Sequence, residues 1–90
     1  MRKIEIIPLA KKKLRRRGIS EQWVKQTLQE PGQIVEGYGG RKVAQKRYLA
    51  EGKEYLLRVV YEEIGESCIV LTAYLTSQVG RYWKEDLHED

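Results

Sequence analysis

The apolar residues change their spacing at Glu30-Pro31-Gly32, and that change dictates helices first and strands after. Upstream, Ala10 and Leu14 stand four apart with Leu9 beside them. Lys11, Lys12, Arg15 and Arg16 take most of the remaining circumference. Pro8 suits the first turn of this helix, where its missing N–H has no intrahelical partner. Gly18 suits the position just past its end, and the basic last turn suits the negative end of the helix dipole. Ser20 is a good N-cap for a second helix, with Glu21 and Gln22 in its first turn and Trp23, Val24, Thr27 and Leu28 as its buried stripe. Residues 3–7 form a short apolar-rich segment suited to an edge strand.

Downstream the period is two. Strands are expected at residues 33–37, 41–50, 54–62 and 67–75, with turns at Gly37-Tyr38-Gly39-Gly40, Glu51-Gly52-Lys53 and Ile64-Gly65-Glu66-Ser67. The glycines of the first turn precede strand-forming residues rather than a helix, so they make a turn and not a phosphate loop. The fold expected is α+β. Two N-terminal helices pack on one face of a twisted antiparallel sheet of about four strands, with a short C-terminal helical cap and residues 3–7 as a possible edge addition. No linker or repeat divides the chain, so residues 1–90 form one domain, with 84–90 as a mobile acidic tail. The two helices also raise a DNA-binding helix-turn-helix. The short second helix, with Lys25, Gln26 and Gln29 outward, and the strands that follow at once argue against it.

Two helices cover one face of such a sheet, so the other stays open. In the last strand Ile69, Leu71, Ala73 and Leu75 are wholly apolar and are expected to meet the helices. Cys68, Val70, Thr72 and Tyr74 are expected opposite. Arg58, in the middle of an apolar strand, cannot enter the helix-covered core without a partner, which puts it on the open face near Thr72 and Tyr74. Just beyond the last strand come Arg81, Tyr82 and Trp83. Arg81 and Tyr82 are expected to face a ligand, and Trp83 to pack. Arginine offers a fork for phosphate, and tyrosine and tryptophan offer platforms for unpaired bases.

The net charge is +4, from 17 Lys and Arg against 13 Asp and Glu, and the charges are segregated. The first 17 residues hold one acid, Glu5. Arg41, Lys42, Lys46 and Arg47 make a second basic cluster, while the acids gather late. Separate basic surfaces are what a polyanion needs. No run of about twenty apolar residues is present, which excludes a membrane-spanning helix, and the N-terminus lacks the apolar core of a secretory signal. Cys68 is the only cysteine and lies in an apolar run, so an inert buried thiol and a reducing cytoplasm are expected. No Cys/His cluster or zinc-binding helix motif occurs, so neither metal nor other cofactor is expected.

The segments LAKKKLRRRGISEQWVKQTLQEP, GRKVAQKRY, LLRVVYEE and CIVLTAYLTSQVGRYW, in that order, resemble a family of small bacterial and archaeal proteins of undefined function. That family is grouped with the RelE/ParE-like toxin superfamily, near the BrnT branch. The resemblance runs from about Ile7 to Trp83. It implies helices preceding an antiparallel sheet, a toxin of a toxin–antitoxin pair, and an antitoxin partner whose acidic segment suits the basic face. Relatives carry a histidine before the alanine of the first helix, where this chain has Leu9, so an acid–base role there is absent.

The activity that resemblance implies is metal-free RNA cleavage, with or without ribosomes. It needs a base for the 2′-OH, cations for the crowded phosphorane and an acid for the leaving oxygen. Arg58, Arg81, Tyr82 and Tyr74 are the candidate catalytic residues. Lys46, Arg47, Arg41, Arg15 and Arg16 are the candidate RNA-binding residues. His88, the only histidine, sits in the charged tail and is expected to be inert, so the base would have to be a lysine or tyrosine with its pKa lowered by crowding with other cations. The alternatives are a non-catalytic module that binds a protein target or RNA, and a stable basic domain in which Arg81, Tyr82 and Trp83 only close the core.

Overall fold

A computed structural model describes residues 3–85. The expectations for His88 and for the acidic tail beyond Glu85 fall outside them. The elements are β1 (Lys3–Ile6), α1 (Pro8–Arg17), α2 (Glu21–Gln29), β2 (Gln33–Glu36), a glycine turn (Tyr38–Gly40), β3 (Lys42–Ala50), β4 (Lys53–Ile64), β5 (Ser67–Thr76) and α3 (Val79–Tyr82).

Local chemistry explains both helix boundaries. Pro8 opens α1, and Gly18 closes it in the left-handed region at φ 68°, its N–H returning to the carbonyls of the last turn. The Ser20 side chain accepts a hydrogen bond from the Trp23 N–H at 3.0 Å and so caps α2. The faces follow the apolar spacing. Ala10 and Leu14 of α1, Ile19 of the link and Val24 of α2 form one core with Leu57, Val59, Val70 and Ala73 of the sheet. Trp23 stacks on Tyr48 at 4.7 Å between centroids, and the Thr27 and Tyr48 hydroxyls meet at 3.0 Å.

The sheet corrects the expected fold class. It has five strands, in the order β1-β5-β4-β3-β2, and it is mixed: β1 runs parallel to β5, with Lys3 opposite Ser67 and Ile6 opposite Val70. An antiparallel sheet of about four strands would leave β5, the most apolar strand, at an edge with its amides unpaired. β1 covers the first part of that edge. Past Val70 the cover comes from α1, where Arg17 Nη1 donates to the Ala73 carbonyl at 2.8 Å and the Thr72 hydroxyl at 3.2 Å.

A second correction lies inside β5. Val60 pairs with Thr72 but Tyr61 pairs with Val70, so Leu71 is a bulge residue. Strict alternation would put Ile69, Leu71, Ala73 and Leu75 on one face. With the bulge, Cys68 and Val70 join Ala73 and Leu75 on the helix side. Cys68, Val70 and Ala73 are buried, as the core requires.

The face away from the helices is not bare either. After β5 the chain turns through α3 and crosses back over the sheet to β2. Trp83 ends against Gly32, where a β-carbon would sit only 2.8 Å from the ring, and the Arg47 guanidinium lies 4.4 Å from the ring centroid. This crossing covers about half the face expected to be open, the half that carries Leu56 and Gln45, both with no exposed surface.

Candidate functional site

The registers of the sheet line up three cross-strand rows on the face away from α1 and α2. The middle row is polar. Gln33 of β2 is opposite Gln45 of β3, Gln45 is opposite Arg58 of β4, and Arg58 is opposite Tyr74 of β5. Each side chain bonds the next. Gln45 Nε2 donates to Gln33 Oε1 at 3.0 Å, Arg58 Nε donates to Gln45 Oε1 at 2.7 Å, and Arg58 Nη1 donates to the Tyr74 hydroxyl. Gln45 is wholly buried, and every one of its bonds counters a desolvation cost.

This row also anchors the returning chain. Gln45 Nε2 donates to the Tyr82 carbonyl at 3.0 Å. The Gln33 amide takes both backbone groups of Lys84, accepting from its N–H at 3.0 Å and donating to its carbonyl. A side-chain amide here does what a neighbouring strand would do. Tyr82 lies over the row, with its ring centroid 4.2 Å from the Arg58 guanidinium carbon and 5.3 Å from that of Arg81. Tyr82 and Tyr74 meet edge to face at 6.4 Å.

The row on one side, Arg47, Leu56 and Thr76, lies toward the covered half. The row on the other, Val35, Val43, Val60 and Thr72, is not crossed by the chain. Above it is a hollow of about 450 Å³, with Val43 and Val60 as its apolar floor, Arg58 and Tyr74 on one wall, and Tyr38, Arg41 and the acidic Glu36 completing its lining. Tyr38 is 93% exposed and stands between Gly37 and two glycines at positive φ, Gly39 (68°) and Gly40 (81°). The hollow is large enough for a base and its phosphate. The Tyr74 hydroxyl accepts from Arg58, so its own proton is left to donate.

The residues singled out from sequence divide by location. Arg58, Tyr74 and Tyr82 meet, and Arg81 joins them on the Tyr82 ring. Arg41 stands at the rim, 3.7 Å from Glu62. Arg47 is on the same face but is taken by Trp83 and, at 3.8 Å, by Glu54. Lys46 points to the other side of the sheet, where it pairs with Glu30, just past the end of α2, at 3.5 Å. Arg15 and Arg16 lie exposed on α1, across the molecule from the hollow. Lys42 pairs with Glu63 at 2.8 Å, and that hydrogen bond and charge raise its ammonium above the usual lysine value. Leu9 is exposed on α1, away from the hollow.

Three participants escaped the sequence reasoning. Gln33 and Gln45 gave only a weak signal, a polar residue among inward-facing strand positions, because their pairing depends on register. Tyr38 gave a stronger one, a large aromatic held among three glycines in a turn. Among the described residues no group of three His, Cys, Asp or Glu is placed to hold a metal ion, and no helix is long and apolar enough to cross a membrane.

A family model described as a domain of unknown function, DUF4258, matches residues 10–75. That span runs from the buried Ala10 of α1 to Leu75 of β5 and takes in the whole polar row and the hollow. No curated protein and no solved structure matches the chain.

Proposed function

We propose that the chain, which belongs to the DUF4258 family of undefined function, binds single-stranded RNA in the hollow beside Arg58 and, from the resemblance of its segments, that it does so as a toxin-type domain. One observation carries this reading. An apolar floor, two guanidinium groups and an exposed aromatic stand together above the sheet. A base needs the floor and an aromatic face, and a phosphate needs the cations. Tyr38 stacks on the base. Arg41 and the remaining donors of Arg58 take the phosphate. Tyr74 donates to a phosphate oxygen. Arg81 and Tyr82 extend the track along the strand. The domain acts in the cytoplasm, and an antitoxin with an acidic segment covers the same face.

Binding is supported ahead of scission. Two donors of Arg58 are already committed to Gln45 and Tyr74. Among the described residues no histidine is present, and Glu36 is the one carboxylate lining the hollow, so scission would rest on it alone as the base for the 2′-OH proton.

The test is fluorescence anisotropy with a labelled, unstructured RNA of about eight nucleotides. Tyr38→Ala should weaken binding by about 5- to 150-fold, the loss of one stacked base, with no change in thermal stability because the ring is exposed. Arg41→Ala should weaken it and flatten its salt dependence. Wild-type affinity in both variants would remove the hollow as the site. The same RNA incubated with and without ribosomes reads scission directly, and cut ends would promote the enzymatic reading over the binding one.

A further inference from the structure

The basic residues of this protein fall into two electrostatic classes. Along β3 and just before it each has an acidic partner: Arg41 with Glu62, Lys42 with Glu63, Lys46 with Glu30 and Arg47 with Glu54. On α1 they do not. Lys11, Lys12, Arg15 and Arg16 are all exposed, and among the described residues none of the four forms an ion pair with a carboxylate. The helix has no acidic residue in its first turn.

The four cations also repel one another. Lys11 and Arg15, and Lys12 and Arg16, are like charges four residues apart, the spacing at which side chains on a helix are neighbours. The helix dipole offsets this only for the last turn, where Arg15 and Arg16 lie, and does nothing for Lys11 and Lys12. The opposite side of the helix, Ala10 and Leu14, is locked into the core, so the stripe always faces outward. It therefore carries an unrelieved repulsion that a polyanion would remove.

The residue types on the stripe select the polyanion. α1 holds no aromatic, so it offers no platform for unpaired bases. From Lys11 to Arg17 it holds no amide or hydroxyl side chain, only lysines and arginines beside Leu14, and these are the side chains that take phosphates. Leu9 is its only large exposed apolar residue, too little to enter a lipid surface. Among nucleic acids and lipids, what remains is a regular double-stranded backbone, bound through its phosphates.

We propose that Lys11, Lys12, Arg15 and Arg16 form a second RNA site, which grips the phosphates of a double-stranded region while the hollow on the far side of the sheet takes an unpaired strand. The choice of RNA over DNA rests on the reading of the hollow. The preferred ligand is then an RNA with paired and unpaired segments side by side, long enough to reach around the domain.

The test uses the full chain and three labelled probes: a blunt RNA duplex of about sixteen pairs, a DNA duplex of matching sequence, and the short single strand. In the variant Lys11→Gln/Lys12→Gln/Arg15→Gln/Arg16→Gln, glutamine keeps helix propensity and removes charge. An unfolding midpoint no lower than that of the wild type verifies its fold, and the pair Lys12→Gln/Arg16→Gln replaces it if the midpoint falls. For wild type, log affinity for the RNA duplex against log salt should have a slope of about −3.6, four phosphates at about −0.9 each. The quadruple variant should bring that slope close to zero and the pair should halve it, with single-strand binding intact. Unchanged duplex affinity overturns the proposal. So does an equal loss on duplex and single strand, which would mean one continuous site, and so does binding of the DNA duplex alone. If Tyr38→Ala leaves single-strand binding untouched while the stripe variant loses the RNA duplex, the hollow reading falls and the stripe stands.

Discussion

Gln45 has no exposed surface, yet it serves three partners: it donates to Gln33 and to the Tyr82 carbonyl, and it accepts from Arg58. The Arg58 guanidinium keeps its place only because that acceptor, the Tyr74 hydroxyl and the Tyr82 ring fix it from three directions. Gln45→Leu fills nearly the same volume and removes all three bonds. It leaves the Arg58 Nε–H and the Tyr82 carbonyl without partners in a half-buried place, at a cost of about 2–4 kcal/mol. Melting should fall by at least about 10 °C in a domain of this size, as followed by circular dichroism. A fall of only one or two degrees would mean that water replaces the amide without penalty, and that the row is not what holds Arg58.

The elements divide into those that local chemistry writes and those that only assembly writes. The helix limits were legible because Pro8, Gly18 and Ser20 act on their own backbone neighbours. The alternation of β3 was legible for the same reason. The parallel seat of β1, the bulge at Leu71 and the return of the chain to Gln33 were not. Each depends on which distant segment supplies a partner, and a run such as Lys3–Ile6 reads the same whatever lies beside it. The site follows this division. Arg58 was legible, as a charge that an apolar strand cannot bury alone. The two glutamines were not, because nothing local says that they face each other. The bulge gives a sharp test. Deleting Leu71 leaves Tyr61 opposite Val70 and Val60 opposite Thr72, so every other β5 residue keeps its face. Deleting Val59 instead turns half of β4 over and sends Arg58 or its neighbours into the core. The Leu71 deletion should unfold in one cooperative urea transition, and the Val59 deletion should show none. Failure of both would mean that the bulge is required for the twist of the sheet.

For the molecule as a whole, β4 is the centre, β5 and β3 are likewise flanked on both sides, and β1 and β2 are the borders. β1 reaches its partner only after some sixty residues of chain have been placed, a long loop to close for four residues of pairing. Native-state hydrogen exchange should therefore grade across the sheet. Amides of Leu57 and Val59 should exchange only with global unfolding, and those of β1 and of residues 82–84 by smaller openings. Equal protection throughout would show a single cooperative unit in which β1 and the returning segment are as firmly held as the centre.

The same topology sends the two ends of the described chain to opposite borders. Lys3 starts at the β1 border beside Ser67, and Lys84 is tied to Gln33 at the β2 border. Four interstrand steps of about 4.8 Å separate the two borders, or roughly 19 Å. A label at Lys3 lies at the border farther from Tyr38, and one at Lys84 lies at the nearer. Immobilisation through residue 3 thus presents the hollow to solution, and a dye coupled at residue 84 reports on whatever settles there.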